Sequence, residues 1–460
     1  MRATKNLTEG NIYKNLLIYA VPLILSSLLM QAYSTVDGMI AGKFISEYAL
    51  GAVSATSSFD TLISQLMNGF FTGFAVYIAH LFGSRSYAEI KRDVVGTGFV
   101  IVLASLLFSV LTIALRTPVM TYLKIDQIIY AEAERYFIVY TAGYVIFYFN
   151  SFVLHVLHAL GITSFSLYVS VLSALLNIGG NLLTILVFDM GVAGLALSTV
   201  LSALVSTIIY IVILRRAFRE MPSEAVSYRP SFYCLARSAR YTVPAALQML
   251  AFHGITFFIA PAINALGAAA TTGYNVANRL YSFATLCLWQ ATAALSCYIG
   301  QCVGVGDPAK IRRGFRCGVI LNVALLLPAV LAISLFAGGI VSVFFPNGYV
   351  GEAYQYAVRY ARYFLPFVFV QLVGHVLHAY MRSLARMGAV LGVTLLGSAT
   401  RLAATLLLVP TLQLDGVYIG QIISWGIDAL VSLLLFFCLY HSIPQLERLI
   451  KETLQHRKKA

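Results

Sequence analysis

Five ionisable side chains lie deep inside apolar stretches of this chain: Asp37, Asp60, Arg279, Arg401 and Asp428. A charge at the centre of a bilayer costs at least about 2.5 kcal/mol on insertion scales, so each needs a partner, an aqueous cavity or a task. Arg401 and Asp428 read as an ion pair in preference to two separate substrate contacts. Asn177 and Asn181 are four residues apart and so share one helix face, and Thr199 follows in the next apolar run. Such amides and hydroxyls can supply oxygen ligands to a cation, or simply join helices by hydrogen bonds worth about 0.6 kcal/mol each. His155 and His158, like His375 and His378, are three apart, which suits a metal pair or a proton relay. They fall where helices reach the basic side of the membrane, so polar helix ends are the expected reading and no metal site is assigned. The six cysteines form no C-x-x-C pair and read as small buried hydrophobes.

The elements that position these residues follow from composition. Of 460 residues 60% are hydrophobic and 11% charged. Soluble enzymes carry roughly a quarter charged residues and disordered chains have low hydrophobicity, so both classes are excluded. An apolar helix needs about 20 residues to cross about 30 Å of hydrocarbon. Polar breaks then divide the chain into twelve predicted helices, near 14–40, 49–82, 94–115, 133–158, 165–187, 191–214, 240–265, 271–303, 315–338, 355–380, 388–409 and 416–440. The net charge of +13 gathers in alternate connections, and this positive-inside pattern places both termini in the cytoplasm. No basic face with interleaved aromatics exists, so nucleic acid is not an expected partner. The first apolar run is too long to be a cleaved signal.

The longest polar connection splits the chain into an N-terminal lobe (1–214), a linker (215–240), a C-terminal lobe (241–440) and a basic tail (441–460). Tyr19-Ala20-Val21-Pro22 matches Tyr241-Thr242-Val243-Pro244, Gly83 to Arg92 matches Gly304 to Arg313, and His155-Val-Leu-His158-Ala159 recurs as His375-Val-Leu-His378-Ala379. The nearly constant offset marks a duplicated six-helix bundle. On that offset Asp37 aligns with Ile259 and Asn181 with Arg401. The fold expected is an all-α membrane protein with twelve transmembrane helices, in two six-helix lobes related by a parallel pseudo-two-fold. That is an alternating-access transporter architecture.

The sequence resembles the multidrug and toxic compound extrusion (MATE) family. The resemblance rests on Thr8-Glu9-Gly10 followed by Pro22, Gln31, Asp37 and Gly42, on Ala49-Leu50-Gly51-Ala52, on Gly69, Gly73 and Gly83, on Leu176-Asn177-Ile178, and on Gly191 to Thr199. It implies export of drugs or metabolites driven by a proton or sodium gradient. In MATE proteins similar to this one a carboxylate fifteen residues after a first-helix proline is the coupling acid, and Pro22 to Asp37 reproduces that spacing. The proline would place a helix bend there. The family site would use Asn177, Asn181 and Thr199 with Asp37, yet its usual second carboxylate is here the amide of Asn181. The seventh-helix acid of some members is also missing around Ala251, Phe252 and His253. One carboxylate suits a proton better than sodium, with Asp60 as a possible second acid. The resemblance further implies a multi-pass protein of the cytoplasmic membrane that acts as a monomer on small organic cations, with no cofactor and no enzymatic activity. The alternatives are a lipid-linked precursor flippase of the wider superfamily and, more distantly, a membrane haem or metal enzyme using the histidine pairs.

Overall fold

A backbone in hydrocarbon must satisfy its own polar groups, and a chain this apolar does so with helices. The computed structural model describes residues 7–40, 45, 47–122, 125, 127–222, 232–345, 348 and 350–441, and among them helices are the only regular elements. The side chain of Asp37, the whole of Gly42 and Lys43, and the tail beyond His441 lie outside the described residues, as do the side chains of the Ala49 to Ala52 motif.

The first set of elements is α1 (Ile12–Ile40), α2 (Glu47–Gly83), α3 (Tyr87–Ala114), the short α4 (Arg116–Tyr122), α5 (Gln127–Ala142), α6 (Tyr144–Ala159), α7 (Ser164–Leu182) and α8 (Gly191–Glu220). The second repeats that order as α9 (Phe232–Asn264), α10 (Ala268–Val305), α11 (Pro308–Leu335), the short α12 (Ala337–Ser342), α13 (Glu352–Arg359), α14 (Val368–Ser383), α15 (Met387–Leu412) and α16 (Leu414–His441). Among the described residues eleven helices are long and apolar enough to cross a membrane, and α5 with α6, taken as one bent span, makes a twelfth. The twelve expected spans are therefore present. Exposed side chains such as Leu103, Leu107 and Leu407 give them lipid-facing surfaces.

Several expected boundaries are corrected. The fourth span is not one helix: it turns by 46° at Gly143. A Cβ there would strike Val200 and Phe147, so only glycine fits, and its weak helix propensity concentrates the bend. The tenth span widens into a π turn at Tyr360–Phe364 and a 3-10 turn at Leu365–Phe367 before α14. Pro366 has no N–H to donate, and the altered turns absorb the missing bond. The expected linker 215–240 is helical at both ends, because α8 continues to Glu220 and α9 begins at Phe232. Arginine, leucine and alanine are good helix formers, so polarity there ends the apolar run without ending the helix. The repeated Gly83 and Gly304 segments are tight turns, each with one left-handed residue, Arg85 at φ 57° and Gly306 at φ 76°. In the second, Pro308 opens α11 and Asp307 caps it, accepting from the Lys310 N–H at 3.0 Å.

The chain forms two compact units, and they do not coincide with the two halves of the sequence. The first unit contains Val21–Ala246, and the second contains Leu7–Ala20 and the chain from Leu247 onward. Thus α1 starts in the second unit and α9 starts in the first. The repeated Tyr-x-Val-Pro motif lies at both crossing points, with Pro22 inside α1. Within the second unit the Leu7 N–H donates to Gln301 Oε1 at 2.9 Å, and Asn15 donates to the carbonyls of Leu7 and Glu9. Within the first unit Arg237 of α9 pairs with Glu89 and lies 3.6 Å from Asp93 of α3. Asp93 is fully buried and accepts from Tyr77 Oη at 2.5 Å. Gly69 and Gly73 of α2 let the Tyr241–Ala246 backbone approach so closely that no Cβ would fit, a small-residue packing familiar in membranes.

Candidate functional site

In the first unit, α7 and α8 bring three of the expected site residues together. Asn181 Nδ2 donates to Asn177 Oδ1 at 3.0 Å, and Asn177 Nδ2 donates to Thr199 Oγ1 at 3.0 Å. Ser198 Oγ donates to the Asn177 carbonyl at 2.9 Å, an approach made possible by Gly180, where a side chain would meet Ser198. Both asparagines are buried. A π turn, Leu183–Val187, follows directly, and Thr184 donates to the carbonyls of Gly180 and Asn181 at 2.9 and 3.2 Å. Such wide turns recur at functional sites because they free backbone carbonyls. The end of α1 lies beside this ladder: Val36 and Ile40 pack with Ile178, Ile185 and Leu195. Asp37 is next to Val36 in sequence, so its backbone is carried there, although its side chain is outside the described residues.

Asp60 of α2 occupies a second place in the same unit. Tyr140 Oη donates to its Oδ2 at 3.3 Å, and Tyr144 and Ser64 lie within hydrogen-bonding reach. Tyr136, Tyr140, Tyr144 and Tyr148 form a ladder at four-residue spacing that continues through the Gly143 bend, with successive ring centroids 5.4, 6.1 and 5.2 Å apart. A carboxylate enclosed by aromatic faces suits an organic cation. The four-residue spacing was readable in the sequence, but among 28 tyrosines it had no contrast.

In the second unit the expected Arg401–Asp428 pair is not formed. Asp428 Oδ1 lies 3.4 Å from His378 Nε2, in a space that Gly374 and Gly397 leave open on either side. Gly397 of α15 stands opposite Asp428 of α16, and Arg401 is one helical turn further along α15. The paired histidines differ between the units: His158 lies in the last turn of α6, as a polar helix end would, whereas His375 and His378 lie inside α14. His375 and His378 are buried, and Trp289 meets the His375 ring edge-on at 4.6 Å. In the first unit His155 contacts the Ser151 carbonyl at 2.8 Å and His158 contacts Ser166 Oγ at 3.3 Å. Duplicated His-x-x-His segments thus serve helix packing on both sides. Arg279 is exposed on α10.

The expected repeat register also needs correction. α14 runs to Ser383, whereas its counterpart α6 stops at Ala159, so beyond this point the offset is 224, one helical turn more than the 220 of the histidine motif. Arg401 therefore corresponds to Asn177, and Thr405 corresponds to Asn181. Carrying the offset of the histidine motif forward sets Arg401 against Asn181, because the extra turn, Tyr380 to Ser383, comes after that motif.

Comparison with known proteins agrees with this layout. The MatE family profile matches twice, at residues 22–183 and 244–407, in the same shifted register. The probable multidrug resistance protein YpnP of Bacillus subtilis is 25% identical over 309 residues, covering 66% of this chain and 68% of its own. The multidrug export protein MepA of Staphylococcus saprophyticus is 23% identical over 351 residues, covering 72% and 73%. Among solved structures, a MOP superfamily transporter from Pyrococcus furiosus superposes with a TM-score of 0.87 at 20% identity, covering 95% of this chain and 98% of its own. A MATE protein in its bent conformation gives 0.86 at 20% identity, covering 96% and 98%. Two profile matches spanning most of the chain, on a fold shared with MATE transporters, define the class: the chain belongs to the MatE family.

Proposed function

We propose that this protein exports small organic compounds by alternating access, coupled to inward movement of a proton. The observation that carries this reading is the buried Asn181–Asn177–Thr199 ladder beside the end of α1 that bears Asp37. Amides serve either protonation state of a neighbouring carboxylate, since each has both donors and an acceptor. A sodium ion, by analogy with other hard cations, favours several anionic oxygens to offset its dehydration. Asp37 is the one acid assigned to this site, and Asp60 accepts from Tyr140. The Asp60 enclosure is assigned to an amine-bearing substrate. The relatives named for multidrug resistance and export support the transport direction. The termini are assigned to the cytoplasm, in a bacterial cytoplasmic membrane, on the basic connections.

Reconstituted vesicles test the coupling. A pH gradient without sodium is expected to drive uptake, and a sodium gradient at equal pH is not. Asp37→Asn should insert normally, bind substrate in detergent and fail to concentrate it, because an amide exchanges no proton at accessible pH. Sodium-driven uptake in the wild type, or full pH-driven export by the variant, removes the assignment.

A further inference from the structure

We infer that the second unit contains a binding site for the oxyanion of an aromatic substrate, a carboxylate or phosphate, centred on Arg401. The guanidinium sits near the middle of α15, a transmembrane span. A charge at that depth needs a counterion. Among the described residues Arg401 makes no ion pair, and its buried Nε has no hydrogen-bond partner. Both acids of α16 are already engaged. Asp415 pairs with Arg359 at 2.6 Å, and Asp428 faces His378.

The direction of the side chain identifies the site. Gly397 and Thr405, one turn to either side of it, meet Asp428 and Gly420 of α16, so Arg401 stands between them on the face that α15 turns to the interior of its unit. Among the described residues, polar atoms without partners accompany it there. Thr405, one turn further on the same face of α15, is fully buried, and its hydroxyl is unbonded. Gln371 donates to Tyr281 Oη at 2.6 Å. The Tyr281 ring stacks on Trp425 at 5.8 Å, and Tyr418 lies against Tyr360 at 4.7 Å with its buried hydroxyl unpartnered. A guanidinium fork, a hydroxyl one turn away and flat aromatic walls match an aryl carboxylate or phosphate.

The contrast between repeats strengthens the assignment. Arg401 and Thr405 hold the positions that Asn177 and Asn181 hold in the first unit. The amide nitrogens donate to Thr199 and to one another, whereas Arg401 brings a cation, and its Nε and the Thr405 hydroxyl have no partner among the described residues. Duplication has thus produced two equivalent places of different chemistry, one built on linked amides and one on a guanidinium. This inference adds aryl oxyanions to the compounds of the exporter proposed above, besides the amines assigned to Asp60, and depends on that reading only for the direction of transport. Binding to purified protein tests the site independently.

The chain has two tryptophans, so in a Trp289→Phe background the fluorescence of Trp425, stacked on Tyr281, reports the site. Full-length protein in detergent is titrated with benzoate, phenyl phosphate, benzylamine and lysophosphatidate. Saturable quenching by one or both aryl anions, but not by benzylamine, is expected. Arg401→Gln should weaken it at least tenfold, about 1.4 kcal/mol or more. Arg401→Lys, which keeps the buried charge and the insertion cost, should retain part of the affinity. A response to lysophosphatidate alone, lost in Arg401→Gln, would show that the oxyanion arrives on a lipid. Absence of any saturable anion response in the wild type overturns the proposal, as does unchanged anion affinity in Arg401→Gln. Anion binding that persists while proton-driven export fails would overturn only the coupling assignment.

Discussion

At the scale of single residues, burial decides which polar groups must find each other. Asp428 and His378 sit 3.4 Å apart inside the second unit, so losing one strands the other in a space shaped for two. His378→Gln and Asp428→Asn should each lower the melting temperature, with the double variant losing less than the sum by about 0.5–3 kcal/mol of coupling. The corresponding Arg401–Asp428 cycle should be additive, and the reverse pattern would restore the pair expected from sequence. In the first unit Asn181→Asp replaces the donor facing Asn177 Oδ1 with an acceptor. Two facing oxygens need a proton or a cation between them, so this variant should gain a sodium-dependent rise in melting temperature that the wild type lacks. A melting curve as indifferent to sodium as the wild type's would mean that the ladder does not coordinate ions. The sequence revealed that these residues were buried and charged or polar, since apolar context alone says so. It did not reveal their partners, because hydropathy does not say which neighbouring helix a side chain meets, and Asp428 meets His378 of α14 where Arg401 of α15 was expected.

At the scale of elements, hydropathy runs located all twelve spans, because the length required to cross a bilayer is fixed. The breaks inside spans were harder to read. Gly143 is one of 34 glycines, and Pro366 one of 12 prolines, and in membranes either is often carried in a continuous helix. Small residues at interfaces were legible as motif but not as contact. Gly73 meets the backbone of Tyr241 and Thr242, so Gly73→Val must push α2 and α9 apart. An overpacking cost of roughly 1–3 kcal/mol is expected, read as lower yield of monodisperse protein and a lower melting temperature. Gly392, with open space around its Cα, provides the control: Gly392→Ala should change neither. Equal effects at both sites would show that the α2–α9 approach is not tight.

At the scale of the whole molecule, the internal repeat predicted two lobes divided at the central connection, and packing draws the division elsewhere. The second unit includes Leu7–Ala20, and the first includes the beginning of α9. Sequence similarity reports descent from a duplicated gene, and it carries no information about which unit a helix end joins. Halves expressed as residues 1–226 and 227–460 are therefore predicted to copurify when produced together. The second half alone, lacking Leu7–Ala20, should be markedly less stable and less monodisperse. Its independent stability at the level of the pair would show that the exchanged segment contributes little.

That exchanged segment also imposes an order on biogenesis. The amide of Leu7 is bonded to Gln301, 294 residues away. At about 5–20 residues per second of synthesis, the start of the chain waits on the order of 15–60 s before its partner exists. During that interval the apolar flank of α1 near Leu16 and Tyr19, both buried in the finished protein, has no native surface to cover it. Helix α1, made before its partner, is then among the last to complete its contacts. An insertion factor or chaperone that shelters nascent helices would have its longest task at the amino terminus, and slowing synthesis midway should expose that end to proteases ahead of any other span.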